Sequence, residues 1–247
     1  MAVTVNLVFK GHNPSDTPIA NLQAIGKGIE MSEWERIYAA GEQLNRYPYS
    51  EVVSFVKRRW GRDGARGLTA LDIGCGSGVH AALLADQGAN VVAFDASPSA
   101  VAHAGDLHGD PLITYKVSTF ADFQAGRTHF DMAVDRLSST YATVEVVAGF
   151  YQNLRKVLNP GAQLLWQGFD PENTGKSLGN YDAKAGLWID FSSGGVFAPH
   201  DTITFFTEDD LALIFEGYTV CSRRIIGDTN LDTGYRHSYW NLELTHA

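Results

Sequence analysis

Two cysteines are all that this 247-residue chain carries, and neither Cys75 nor Cys221 sits in a CxxC or Cys/His ligand spacing. That argues against a zinc site and predicts reduced thiols. Basic residues are also in deficit, 19 Lys and Arg against 28 Asp and Glu, for a net charge of -9. Broad affinity for nucleic acid needs cations that displace counterions from phosphates, so nucleic acid is not an expected partner. Lys57, Arg58 and Arg59 form the only dense basic run, and a solvated helix face accounts for it equally well. No apolar run approaches the roughly 20 residues needed to span a bilayer. The opening "MAVTVNLVFKGHNPSD" lacks the basic region and long apolar core of a signal peptide. A cytoplasmic chain without membrane contact is the expectation. Repeats and low-complexity tracts are missing as well.

What is present is an ordinary globular composition, 45% hydrophobic and 19% charged, which sets disorder aside. The length suits one α/β domain with a full core. Val3, Val5, Leu7 and Phe9 alternate as in a short strand, before "GHNPSDTP" breaks regular structure. Helices are predicted near 30–40 and 50–60, the second capped by Ser50 with Val52, Val53, Val56 and Trp60 facing inward. From residue 68 strands and helices alternate: "LTALDI", "GVHAALLADQ" ended by Gly88, "NVVAFD", then a helix opened by Ser97 and Pro98. "LITYKV" and "FDMAVD" are the next strands. An amphipathic helix follows with Val147, Phe150, Tyr151, Leu154 and Leu158 on one face, stopped by "NPG" before the strand "AQLLWQGF". This is the pattern of a doubly wound parallel sheet. Residues 169–206 form a long Gly-, Asn- and Asp-rich connection with a short strand at "GLWIDF". Connections of that length inside a compact domain are usually functional. "TEDDLALIF" reads as a capped helix. "GYTVCSRRII" and "YRHSYWNLEL" close the chain as adjacent strands, which implies an antiparallel final strand. The division expected is an arm and helical cover over 1–62 and an α/β unit over 63–247, making one structural domain overall.

"LDIGCGSGVH", residues 71–80, places a glycine loop between a strand and a helix, where backbone N–H groups face a ligand. A phosphate-binding loop would need Gly-Lys-Ser/Thr, and no lysine is here. A dinucleotide fingerprint would need a glycine at position 79, where Val79 stands. Asp72 would repel a pyrophosphate and attract an ammonium. Asp95 ends the second strand at about the distance where an acid takes a ribose diol. Ribose, no phosphate at the loop and a cation near Asp72 together describe S-adenosylmethionine.

"LDIGCGSGVHA" with "VVAFDAS" resembles the cofactor half of class I S-adenosylmethionine-dependent methyltransferases, over roughly residues 34–168. The resemblance implies a Rossmann-like, mostly parallel seven-stranded sheet with an antiparallel last strand. It implies S-adenosyl-L-methionine as cofactor and S-adenosyl-L-homocysteine as product. Gly74, Gly76, Gly78, Asp95 and Ala96 would hold the cofactor together with Asp72. The Asp that often reads the adenine amino group after the third strand is replaced by "KVSTFADF", leaving Thr119 and Phe120 beside backbone atoms for that task. The upstream "SEWERIYAAGEQLNRYPYSEVV" resembles the covering helices of bacterial small-molecule methyltransferases. By that resemblance Trp34, Tyr38, Arg46 and Tyr47 close over the methionine end, with Arg46 as the partner of its carboxylate. Trp34 and Tyr38, four residues apart, would equally pack a helix.

Methyl transfer rests mainly on positioning, with a base for the acceptor's proton. His200, in the long connection, and His237, on the last strand beside Tyr235 and Tyr239, are the general-base candidates, with Asp170 a third group able to accept a proton. Asp135 either meets the ligands or caps a turn. Arg136, Tyr141, Trp188 and Tyr235 are the acceptor-side candidates. His80, in the first turn after the glycine loop, would face either the cofactor edge or solvent, with solvent the expectation. Trp166, Trp188 and Phe191 form either an aromatic wall or core.

The expected partner is a small-molecule methyl acceptor, a sugar or secondary metabolite methylated on oxygen or nitrogen, and the chain is read as a monomer or homodimer. No "NPPY" or "DPPY" follows strand four, where "DRLS" stands, which weakens base or amide nitrogen as the target. Methylation of RNA or protein, cofactor binding without turnover and aminopropyl transfer are the competing readings.

Overall fold

The computed structural model describes residues 32–61, 64–191, 197 and 200–246. The alternating segment at 3–9 lies outside them. A seven-stranded sheet runs in the order β3-β2-β1-β4-β5-β10-β9. Its strands are β1 (Thr69–Ile73), β2 (Asn90–Asp95), β3 (Ile113–Val117), β4 (Phe130–Arg136), β5 (Leu158–Phe169), β9 (Tyr218–Thr229) and β10 (Arg236–His246). β1 to β5 are mutually parallel where they pair, and β10 is antiparallel to both β5 and β9. The last strand is therefore the antiparallel one, as the sequence pattern requires.

Both faces of the sheet are covered. Leu71, Ile73 and Phe94 point into one core with Phe150 and Tyr151 of α5 (Val144–Leu154) and Ile214 of α6 (Glu208–Ile214). Ala70, Met132 and Val134 point into the other, with Val52, Phe55 and Val56 of α2 (Ser50–Trp60) and Leu84 of α3 (Val79–Asp86). The period-2 alternation of β1 sends successive side chains to opposite cores. α2 thus belongs to the sheet's own core. α1 (Glu33–Ala39) and α4 (Pro98–His108) complete the helices among the described residues.

Local signals account for most boundaries. Ser97 accepts from the Ala100 amide with Pro98 in the first turn of α4, and Thr207 and Asp210 form a capping box on α6. Gly88, at φ 91, follows α3. Three expectations shift. Ser50 is the first residue of α2 and Tyr49 takes the cap position without a side-chain bond, because Ser50 is drawn into the helix. Leu158 is not on the face of α5, which ends at Leu154 and tightens into a 3-10 turn over Arg155–Val157. "NPG" lies inside β5 as an irregularity: Leu158 pairs with Phe130, and pairing resumes at Gln163 opposite Met132. Proline lacks a donor and is tolerated in a strand only at such a break.

The connection after β5 holds more structure than its composition advertises. A 3-10 turn over Thr174–Leu178 leads to β6 (Asn180–Asp182), β7 (Leu187–Ile189) and β8 (Thr202–Ile203), a second, three-stranded antiparallel sheet. Phe191, Phe197, Ile203 and Phe205 pack it against Phe169, Leu137 and Tyr239 at the carboxyl end of the main sheet.

Candidate active site

At the carboxyl ends of β1, β2 and β4 the chain encloses a cleft of about 560 Å³. Gly74 and Gly76 form one wall, both in the left-handed region, at φ 64 and 51. A Cβ on Gly74 would stand 2.2 Å from Ser138 Cβ, and one on Gly76 would stand 2.5 Å from the Tyr38 hydroxyl. Only glycine lets the loop pass so close to its neighbours. Asp95 closes this end. Its Oδ2 accepts from the Gly76 amide and its Oδ1 from the Ser97 amide, each at 2.9 Å. Burial pushes the Asp95 carboxyl up, opposed by those amides. Ala96, Ser118, Thr119 and Phe120 continue the lining, and Thr119 Oγ1 donates to Asp122.

α1 roofs the cleft. Its Glu35 accepts from the Ser97 and Ser99 hydroxyls and the Ser99 amide at the start of α4. Tyr38 lies over Gly76, and its backbone carbonyl meets His103 Nε2 at 3.0 Å. At the other end of the helix, Glu33 Oε1 is hydrogen-bonded to His200 Nδ1 and Glu33 Oε2 accepts from the Asp201 amide. Both side chains are buried. α1 therefore ties the glycine-loop side of the cleft to the long connection. The His200 ring lies 5.2 Å from Trp34 and 5.1 Å from Tyr141, which are 4.8 Å apart edge to face.

The floor is set by the end of β4. Asp135 is fully buried and accepts from the hydroxyls of Ser138, Ser139 and Tyr151. Burial raises its pKa against those bonds. It anchors the following turn from outside the cleft lining, the turn-capping alternative. Leu137 adopts φ 61, a conformation costing a non-glycine residue about 1–2 kcal/mol, and lines the cleft. Arg136 just before it lines the cleft too, its guanidinium 3.5 Å above the Tyr49 ring.

Of the residues singled out in the sequence, the structure thus gathers Trp34, Tyr38, Gly74, Gly76, Asp95, Ala96, Thr119, Phe120, Arg136, Tyr141, His200 and His237 around one cleft. His237 lies against Phe169, with burial pushing its pKa down and Nδ1 without a partner among the described residues. Others stand back from the lining. Asp72 is buried beneath the loop, where desolvation lifts its pKa to about 8 against the Ala81 amide. Gly78 caps α3 at φ 84. Asp170 is buried and accepts from the Glu172 amide, as a turn carboxylate does. Arg46 is exposed, and Tyr47 is 84% exposed. Trp188, in β7, lies tilted against Tyr181 and edge to face with Phe205. Tyr235 packs near Gly175. Trp166 and Phe191 are core.

For His80 the structure takes the cofactor-edge alternative over the expected one. His80 does not face solvent: it is 6% exposed, lines the cleft and accepts from the Tyr49 amide through Nε2. Burial, then the charge of Arg136, lowers its pKa to about 3, so it is neutral. Residues that sequence reasoning passed over are Glu33, Glu35, Asn45 and Tyr49. The only signal for the two acids was their position in the first turn of a helix already assigned to the cover.

Residues 70–161 match the family described as methyltransferase domain. A 2-heptyl-1-hydroxyquinolin-4(1H)-one methyltransferase of Mycobacteroides abscessus is 29% identical over 103 residues, which are 40% of this chain and 45% of that protein. The chain thus matches less than half the length of that relative. Among solved structures, an S-adenosylmethionine-dependent methyltransferase of Methanosarcina mazei superposes with a TM-score of 0.62 at 18% identity, over 81% of this chain and 99% of the other. The 1,6-didemethyltoxoflavin-N1-methyltransferase of Burkholderia thailandensis, solved with its substrate and S-adenosylhomocysteine, gives 0.61 at 16% identity over 99% and 95%. The matched stretch carries the glycine loop, Asp95 and Arg136. α1 and the long connection, which supply Glu33, Trp34 and His200, lie outside the matched residues.

The cleft suits S-adenosylmethionine. Two glycines that a Cβ would block, a half-buried carboxylate at the end of β2 and the absence of any lysine at the loop fit a ribose-bearing ligand without phosphate.

Proposed function

We propose that the chain is an S-adenosylmethionine-dependent methyltransferase that modifies an oxygen or nitrogen of a small molecule. When bound, the cofactor supplies a methyl group on a sulfonium, which an acceptor lone pair takes by direct displacement, leaving S-adenosylhomocysteine. Gly74, Gly76 and Asp95 would hold the nucleoside, with Ser118–Phe120 along its base. Tyr38 and Trp34 would close over it from α1.

The observation that carries the reading is the Glu33–His200 pair at the aromatic end of the same cleft. The carboxylate fixes the imidazole through Nδ1 and leaves Nε2 to take the acceptor's proton. A positioned base of this kind contributes about 100-fold or more. Trp34 and Tyr141 pack against the ring and exclude water. An acidic chain with a cleft of small-molecule size supports a small acceptor over RNA.

The test is incubation of the purified chain with methyl-labelled cofactor and cell extract, followed by separation of small molecules, RNA and protein. Label in the small-molecule fraction is expected. Label only in RNA or protein would replace the acceptor class, and confirmed cofactor binding with no label in any fraction would favour binding without turnover.

A further inference from the structure

Among the described residues, Arg136 is the only lysine or arginine that lines the cleft. It forms no ion pair with a described carboxylate, and its Nε is buried without a hydrogen-bond partner. Its face is occupied by the Tyr49 ring. Its charge acts on His80, His237, Tyr141 and Tyr239, groups that Glu33, Glu51, Asp170 and Asp228 also reach, yet none of these carboxylates comes within ion-pair distance of the guanidinium. Asp135 is committed to three hydroxyls and Glu33 to His200 and Asp201, while buried Asp170 binds the Glu172 amide through Oδ1 and forms no ion pair with Arg136. A guanidinium half-buried without an anion is costly. Such a group is retained where a ligand completes the pair, because a planar fork matches a planar anion in two parallel bonds. Beside it the cleft is aromatic, with Trp34, Tyr141, Phe169 and Phe197.

Resting on the methyltransferase reading, we propose that Arg136 selects the acceptor: a flat aromatic molecule bearing a carboxylate or an acidic hydroxyl, bound with its anionic edge on the guanidinium and its ring among Trp34, Tyr141, Phe169 and Phe197. A neutral hydroxyl held there loses its proton to His200 Nε2, and Arg136 stabilises the oxyanion that results. The competing source of an anion is the carboxylate of the cofactor's methionine end. Arg136 shares its surroundings with Tyr141 and with His237 and Tyr239 of β10, the side opposite Asp95, which favours the acceptor.

The experiment is calorimetric titration of the full chain with 2-naphthoate and with its neutral isostere 2-naphthamide, with and without saturating S-adenosylhomocysteine. The carboxylate is expected to bind about 10-fold tighter or more than the amide, as a charge-assisted pair requires. R136Q is expected to erase that preference while leaving S-adenosylhomocysteine affinity within about 3-fold. Binding of neither probe to the wild type, equal binding of both, or a preference that survives in R136Q overturns the proposal, and the first two need no variant to fold. Loss of S-adenosylhomocysteine affinity in R136Q with unchanged affinity for 5′-methylthioadenosine, which lacks the carboxylate, also overturns it, assigning the arginine to the cofactor. Failure of wild type to bind S-adenosylhomocysteine would strike the methyltransferase reading instead, and the naphthoate titrations without it would still decide the anion site.

Discussion

Glu33 and His200 stand 167 residues apart in the chain and share a hydrogen bond at the wall of the cleft, which His200 lines. One lies in the first turn of the roof helix, the other before the last strand of the small second sheet. Their pairing couples closure of the roof to orientation of the base. In Glu33→Gln, the amide oxygen can still accept from the Asp201 backbone, so the fold is expected to persist. The ionic partner of the imidazole is lost. Label transfer to the acceptor should drop about 10- to 100-fold in kcat with KM nearly unchanged. S-adenosylhomocysteine affinity, measured by calorimetry, should hold. A fall in affinity equal to the fall in kcat would make Glu33 a roof anchor only.

Asp95 holds the loop as well as any ribose. Asp95→Ala removes the acceptor for both the Gly76 and Ser97 amides, so the variant loses a ligand contact and the preorganisation of the glycine wall together. Loss of about 3 kcal/mol of S-adenosylhomocysteine binding, roughly 100-fold, is the expected outcome. A shift below 3-fold would show that the ligand does not reach this carboxylate.

The parallel core and the glycine loop were legible because each depends on neighbours in sequence. Apolar runs of five to six residues, Ser97-Pro98 and the loop glycines are local signals that tertiary packing reinforces. The site was legible only in part. Asp95 and Gly76 lie 19 positions apart within one strand–loop–helix–strand unit, and the motif carries both. Glu33 meets His200 only because α1 and the long connection fold over the same sheet edge, and Tyr49 meets Arg136 only because the start of α2 lies over the end of β4. No periodicity encodes that meeting. His80 escaped for a related reason: a polar residue in the first turn after a loop reads as solvent-facing until Tyr49 covers it. Arg46, placed by resemblance, is exposed, and the cation that lines the cleft is Arg136.

Gly74 and Gly161 share a left-handed backbone, at φ 64 and 79, but differ in space. Nothing lies within 4 Å of a Cβ at Gly161, whereas at Gly74 the Ser138 side chain is in the way. Gly161→Ala should therefore cost only the backbone penalty, about 1 kcal/mol in urea denaturation. Gly74→Ala adds a clash that must push β1 and β4 apart at their functional ends. It should lose about 2–4 kcal/mol of stability together with cofactor binding. Equal losses for the two would mean that the turn after β4 yields freely, and the close approach of Ser138 would then have no structural role.

Asp72 makes stability depend on pH in a direction opposite to a paired carboxylate. Its folded pKa is lifted by burial from the ordinary 3.8 to about 8, with smaller contributions from Asp95 and Asp135. Between those values the folded chain holds a proton that the unfolded chain releases. The stabilising contribution is complete below about pH 4 and is lost as pH rises towards 8. The slope from one such group is at most about 1.4 kcal/mol per pH unit. Asp72→Asn keeps the shape and removes the proton. Urea denaturation at pH 5, 6.5 and 8 should show the variant gaining on wild type at each step upward. A constant difference across that range would mean that Asp72 is ionised in the fold, and that its Oδ2, partnerless among the described residues, meets a compensating cation or water there.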